Sequence, residues 1–305
     1  MIREERTCNT PLWIIESGLS KGEAGPAHAL ASRFDLSFRR LRDLASMEPG
    51  CVPPRLVMTS GSSAAFAGLS LRRRFGVPVV HCTHHGTTGF FGQRLFDELI
   101  LSATHPVRTH GTHVIPVLGP LSIVSPTLYE RARHVWGERL EHLPSPRVAA
   151  ILDAGGAIDP RRASVLGRQL GEMVRAEGGS VMVSVARGVA REVAESFIAG
   201  LDECFSLVWR HGEPDDDPTL GFMACADAIV LYGCRVETVI EAAASDLPLF
   251  VEAAPGRFGT WNRLVRTLME QGMLRLFDRD ISPWLRSPLD EAGRVAQMLR
   301  RRFGL

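Results

Sequence analysis

The chain has 305 residues, long enough for two α/β domains of ordinary size. With 45% hydrophobic residues, 23% charged residues and a mean hydropathy of +0.03, it can build real cores. A net charge of +1 and the lack of a basic–aromatic motif argue against nucleic acid as a partner. The basic residues are almost all arginine, and the single lysine, Lys21, lies in a glycine-rich loop.

Six scattered cysteines, Cys8, Cys51, Cys82, Cys204, Cys225 and Cys234, form no C-x-x-C pair and read as reduced thiols. The N-terminus MIREERTCNTPLWII lacks the apolar core of a signal peptide. The uncharged run Leu56–Leu71 is broken by Ser, Thr and Gly and falls short of a membrane span. A cytoplasmic location is expected. Arg72–Arg74 and Arg300–Arg302 offer peripheral contact at the inner membrane, or else are solvated helix faces.

In chain order, Pro11–Glu16 reads as a buried strand, Gly18–Gly25 as a glycine-rich loop and Pro26–Arg33 as a helix. Strand Arg55–Thr59 follows, and Ser60–Ser63 caps a helix over Ala64–Phe75. Pro78–Cys82, Leu99–Ala103 and His113–Leu118 are further strands, and Pro126–Leu143 is an amphipathic helix. Pro144-Ser145-Pro146 is a stiff break, after which the pattern restarts. Strand Arg147–Leu152 leads into the glycine turn Asp153–Ile158 and helix Pro160–Glu177. Strand Ser180–Ala186, helix Val189–Ala199 and strand Phe205–Arg210 come next.

Phe222–Val251 then reads as helix, strand, glycine turn, helix and strand, and Leu289–Phe303 as a last helix. Gly233 allows close backbone approach to a phosphate, and the helix after it offers unpaired N–H groups. Glu237 and Glu241, four apart, share a helix face suited to a ribose diol. The plain alternative is one more βαβ unit with a tight turn and two solvated glutamates.

Strands alternating with helices define an α/β chain of two doubly wound, Rossmann-like domains facing a cleft. The expected division is an N-terminal acceptor-side domain over 1–144 and a nucleotide-sugar domain over 145–282. The C-terminal helix in 283–305 is expected to pack back on the first domain. This matches the GT-B architecture of nucleotide-sugar glycosyltransferases, and equally two-domain binding proteins and some epimerases.

The order of pieces is similar to the mitochondrial-fission elongated-mitochondria (ELM) family of GT-B-type glycosyltransferases. Trp13–Glu23, Gly119–Glu130, the VAAILDAGGA run, Ser184–Ala190, Asp217–Pro248 and Pro283–Glu291 each resemble a family motif, in family order. Departures are Tyr232-Gly233-Cys234-Arg235 in a turn where the family carries Ser or Thr, and Arg187 alone in place of paired arginines. The loop His81–Gly86 and the run GEAG, which keeps only Glu23 of a longer polar motif, also differ.

The resemblance implies transfer of a sugar from a nucleotide-diphosphate donor to a saccharide or glycolipid of the cell surface, with no metal or other cofactor expected; inversion is favoured because a candidate base lies in the N-terminal loop. Inversion needs a base for the acceptor proton and stabilisation of the departing diphosphate. Glu23 is the first candidate base, or else a helix-terminal carboxylate; Glu16 is a weaker one. His81, His84 and His85 follow the third strand, with His84 the preferred alternative base. Gly18, Lys21 and His85 fall on the acceptor side. The histidine spacings fit no zinc signature.

For the donor, Gly155, Gly156, Arg187, Gly233 and Arg235 are assigned to the diphosphate and Glu241, then Glu237, to the ribose. Trp209-Arg210-His211 lines a base pocket or packs structurally, and Asp215–Asp217 is a turn element. The rival functions are a non-catalytic adaptor that has kept the fold, and an epimerase or hydrolase acting on the nucleotide sugar itself.

Overall fold

The computed structural model describes residues 11–19, 24–41, 51–83, 95–102, 111–154, 158–214, 216–252 and 259–305. The chain divides into two units, one running to Ile123 and taking in Asp290–Leu305, the other spanning Val124–Leu289.

In the first unit the elements are β1 (Leu12–Glu16), α1 (Pro26–Ala31), β2 (Phe38–Leu41) and β3 (Leu56–Ser60). They continue with α2 (Ser62–Phe75), β4 (Val79–Cys82), β5 (Glu98–Ser102) and β6 (Val114–Val117). The six strands form a parallel sheet in the order β2-β1-β3-β4-β5-β6. Strand side chains alternate between faces. Leu12 and Ile14 thus join one core with Leu30 of α1, while Trp13 and Ile15 join another with Leu71 of α2. Both faces are covered, so β1 reads as one unbroken apolar run.

The chain's last helix, Glu291–Phe303, packs in the first of these cores through Val295 and Leu299. Asp290 at its start pairs with Arg33 at 3.1 Å, and Arg300 pairs with Asp35 at 3.0 Å. Arg302 meets the buried carboxylate of Glu98.

In the second unit, α3 (Pro126–Leu140), β7 (Arg147–Leu152), α4 (Pro160–Ala176), β8 (Ser180–Val185), α5 (Arg191–Gly200) and β9 (Phe205–Arg210) come first. Then follow α6 (Thr219–Cys225), β10 (Ala228–Tyr232), α7 (Val236–Ala243), β11 (Leu249–Val251), α8 (Thr260–Glu270) and β12 (Arg275–Leu276). Its sheet is also parallel, in the order β12-β11-β10-β7-β8-β9. The winding reverses between β7 and β10, the place where open α/β sheets bind ligands at the carboxyl ends of their strands.

The units divide about twenty residues before the expected break near 145. The reason is α3: Arg133 Nε donates to the Ala224 carbonyl at 2.9 Å, and a Cβ on Gly221 would lie 2.3 Å from Trp136. Glycine at 221 lets α3 and α6 approach closely, so α3 belongs to the second sheet. Residues 283–289 also stay with the second unit, where Trp284 packs against its core. Three elements have no counterpart among the predicted ones: β2, α8 and β12.

His81 on β4 is fully buried, stacks on Phe96 with centroids 4.7 Å apart, and shares a 2.8 Å hydrogen bond with Thr59. It is core, and no base for an acceptor hydroxyl. Burial lowers its pKa from 6.5 to about 4. The unfolded chain therefore binds a proton between those values that the folded chain does not. The stability from neutral His81 is full above pH 6.5 and is lost as pH falls toward 4, by about 3 kcal/mol. Urea unfolding across this range should lose roughly one proton of pH dependence in His81→Asn. An unchanged slope would contradict the assignment.

Candidate functional site

The second unit carries a buried carboxylate where its winding reverses. Asp153 follows β7, and its side chain is 1% exposed. Its oxygens accept from Ala154 N at 2.7 Å, Arg235 N at 3.2 Å, Arg235 Nε at 3.1 Å and Thr238 Oγ1 at 2.6 Å. Arg235 is the N-cap of α7 and Thr238 lies in its first turn. A carboxylate at that end suits the helix dipole and supplies an acceptor the cap residue lacks.

Burial works to lower the Arg235 pKa, yet the charge and hydrogen bond of Asp153, with the charges of Glu237 and Glu241, raise it overall. Arg235 is therefore a permanent cation. Its Nε is committed to Asp153, and its side chain is 59% exposed. Gly233 has φ +62°, and a Cβ there would lie 2.8 Å from the Asp153 carbonyl. Glycine at 233 thus lets the turn press against the end of β7.

A cavity of about 370 Å³ opens beside this cluster, within the ~300–1,000 Å³ range of small-molecule sites. Asp153, Arg235, Thr238 and Glu241 form one wall, and Ser184, Arg187, Trp209 and His211 at the ends of β8 and β9 form another. Asp217, Thr219 and Met223 complete it from α6 and the turn before it. Ser184 and Thr219 hydroxyls share a 2.5 Å hydrogen bond, and Asp217 accepts from Thr219 N at 2.9 Å, as a turn element does. Trp209 is buried and its enclosed indole nitrogen has no partner, so its contribution to the wall is ring surface. The His211 ring stands at 88° to it.

Arg187, Arg235 and Glu241 therefore come together in one cavity. Glu237 is half-buried and not among the wall residues; the residue that faces the cavity with Glu241 is Thr238, three positions earlier. Gly233 likewise supports the wall without lining it. Gly155, Gly156, Glu23, Lys21, His84 and His85 lie outside the described residues. Gly18 is exposed after β1, with φ +81°.

Glu16, a weaker candidate base, is occupied. Its carboxylate accepts from Gly25 N at 3.2 Å, Ala27 N at 3.0 Å, His28 N at 3.1 Å and Arg40 Nη2 at 3.1 Å, which makes it the cap of α1. Asp153, Thr238 and Ser184 are site residues that the sequence reading missed. Only Asp153 carried a signal, an acid placed directly between a buried strand and a glycine pair. Among the described residues no His, Cys, Asp or Glu group is arranged to hold a metal, and no helix is long and apolar enough to cross a membrane.

Two parallel six-stranded sheets with flanking helices and a C-terminal helix define a GT-B-like chain of two Rossmann-like domains. The UDP-GlcNAc 2-epimerase of Methanocaldococcus jannaschii shares the fold with a TM-score of 0.60 at 10% identity, over 95% of this chain and 99% of that one. The UDP-GlcNAc-bound 2-epimerase of Neisseria meningitidis gives 0.52 at 13% identity, over 95% and 98%. The family model Mitochondrial fission ELM1 matches residues 12–303, and the chain belongs to that family. The Mitochondrial fission protein ELM1 of Arabidopsis thaliana is 26% identical over 196 residues, 62% of this chain. The chain spans 45% of that relative's length.

Removing the carboxylate in Asp153→Ala leaves the α7 start and Arg235 without their shared acceptor. It should cost about 1–3 kcal/mol in urea unfolding, and Thr238→Val about 1 kcal/mol. Gly233→Ala should cost more than about 1 kcal/mol, because the left-handed turn and the close approach both oppose a Cβ. Wild-type stability in all three would refute this description of the turn.

Proposed function

We propose that the second unit binds the nucleoside diphosphate of a nucleotide sugar, and that the chain transfers the sugar to a saccharide or glycolipid acceptor. The observation that carries this reading is the fixed guanidinium of Arg235 in a cavity that Arg187 and Glu241 also line. Two arginines meet the requirement of a departing diphosphate for fixed positive charge, and a planar guanidinium can bond two phosphate oxygens at once. Glu241 accepts hydrogen bonds from the ribose, and Trp209 offers an apolar surface to the base. Glu237, outside the wall, acts through its charge on Arg235, and Gly155, Gly156 and Gly233 are assigned to the phosphate turns.

Glu23 is the proposed acceptor base, with His84 as the alternative, and Gly18, Lys21 and His85 stand on the acceptor side. The reaction is read as inverting, with diphosphate stabilisation by arginine and no metal. The names of the two epimerases that share the fold make a uridine nucleotide the first probe. They also favour a second reading, in which the nucleotide sugar itself is altered. That reading predicts product from UDP-GlcNAc with no acceptor present; transfer predicts product only once an acceptor is added.

A thermal-shift panel of UDP, GDP and ADP tests the binding step. A nucleotide at about 100 times its Kd should stabilise the chain by about 2.7 kcal/mol. One base should be preferred, and Arg187→Ala, Arg235→Ala and Glu241→Gln should each weaken binding roughly tenfold, about 1.4 kcal/mol. A flat panel would contradict the reading and favour an adaptor that has kept the fold.

A further inference from the structure

The start of α7 is held by Asp153, and its end is held just as firmly by groups outside the helix. The last turn of an α-helix leaves carbonyls without intrahelical donors. In α7, Tyr129 Oη of α3 donates to the Glu241 carbonyl at 3.1 Å. Arg286 donates through Nη2 to the Ala242 carbonyl at 3.2 Å and through Nη1 to the Ala243 carbonyl at 3.0 Å. The same guanidinium reaches Ser245 Oγ at 2.8 Å and the Leu247 carbonyl through Nε. Leu289 N adds a bond to the Ala243 carbonyl at 2.9 Å.

Three successive carbonyls of an eight-residue helix thus receive donors from elsewhere in the chain. The charges at its two ends, carboxylate at the start and guanidinium at the finish, both have the sign the helix dipole favours. Burial lowers the Arg286 pKa to about 10, against the charges of Tyr129 and Asp246, and the group remains a cation at neutral pH. Burial and the charge of Glu241 raise the Tyr129 pKa, so its hydroxyl stays a donor.

Glu241 is where this clamp meets the cavity. Its carbonyl takes the Tyr129 hydrogen bond, while its side chain belongs to the cavity wall. We infer that Arg286 and Tyr129 are positioning residues: by fixing the last turn of α7 they set the Glu241 carboxylate at the ribose of the bound nucleotide. The inference rests on the nucleotide reading above.

The test compares each ribonucleotide of the UDP, GDP and ADP panel with its 2′-deoxy form by calorimetric titration of the full chain. Wild type should prefer the ribose form about fivefold to tenfold, and Glu241→Gln should erase that preference. Arg286→Met should erase it too, with deoxy affinity nearly unchanged and no further loss when combined with Glu241→Gln. Arg286→Lys should restore it in part, because an ammonium keeps the charge but cannot span the same acceptors.

Tyr129→Phe removes one hydroxyl and keeps the packing, so it gives the answer even if Arg286→Met folds poorly. A ribose preference kept in Tyr129→Phe and Arg286→Met but lost in Glu241→Gln overturns the inference and leaves the nucleotide reading standing. A wild type that binds none of the panel, or does not discriminate ribose, overturns both.

Discussion

A carboxylate with almost no contact with water needs several hydrogen-bond donors, and Asp153 has four hydrogen bonds around it. The rest of the site follows from where those donors come from. One is the residue directly after Asp153, and the others belong to the turn and first helical turn after β10, the neighbouring strand. The two sides of the winding reversal are thereby tied together by one side chain. Arg235 receives a defined orientation from that tie, and the geometry of a cavity wall is set before any ligand arrives. Preorganisation of this kind matters because a guanidinium already in place needs little ordering on binding.

The first unit repeats the device. Glu16 ends β1 as Asp153 follows β7, its side chain is equally enclosed, and it caps a helix while pairing with an arginine of the next strand, Arg40. The two cases differ in consequence. Arg40 is largely covered, and Glu16 holds Gly25 and the first turn of α1, whereas Arg235 stays accessible on the wall of a cavity. A buried acid at the end of a central strand is thus part of the scaffold in both units. The second unit alone, among the described residues, turns it toward a site.

Strands were legible where both faces are covered, since runs such as PLWIIE and RVAAIL leave no polar side to hide. β2 was not, because FRRL places two arginines between its apolar ends at the sheet edge. α8 was open to reading, with Trp261, Leu264, Val265 and Leu268 at helical spacing. The domain division was hidden by Pro144-Ser145-Pro146, a real break in local structure that lies inside the second unit; only the contacts of Tyr129, Arg133 and Trp136 reveal that α3 belongs to it. In the site, Arg187 and Arg235 could be found because strand ends and helix starts are places where chemistry collects, and Glu241 because it shares a helix face with Glu237, four positions earlier. Glu16 was misjudged for the same reason: sequence shows that an acid ends a strand, and says nothing of the backbone N–H groups that will enclose it. Thr238 and Arg286 act through partners 85 and 43 positions or so away, beyond the reach of any local pattern.

The central claim is that Asp153 holds Arg235 in place as a ready ligand for a nucleotide diphosphate. A crystal structure of the chain grown with UDP tests it most directly. The account predicts diphosphate oxygens on the guanidinium groups of Arg187 and Arg235, the pentose beside Glu241, and Arg235 Nε still bonded to Asp153. Ordered UDP seated elsewhere, or an Arg235 that leaves Asp153 to reach it, would contradict the account.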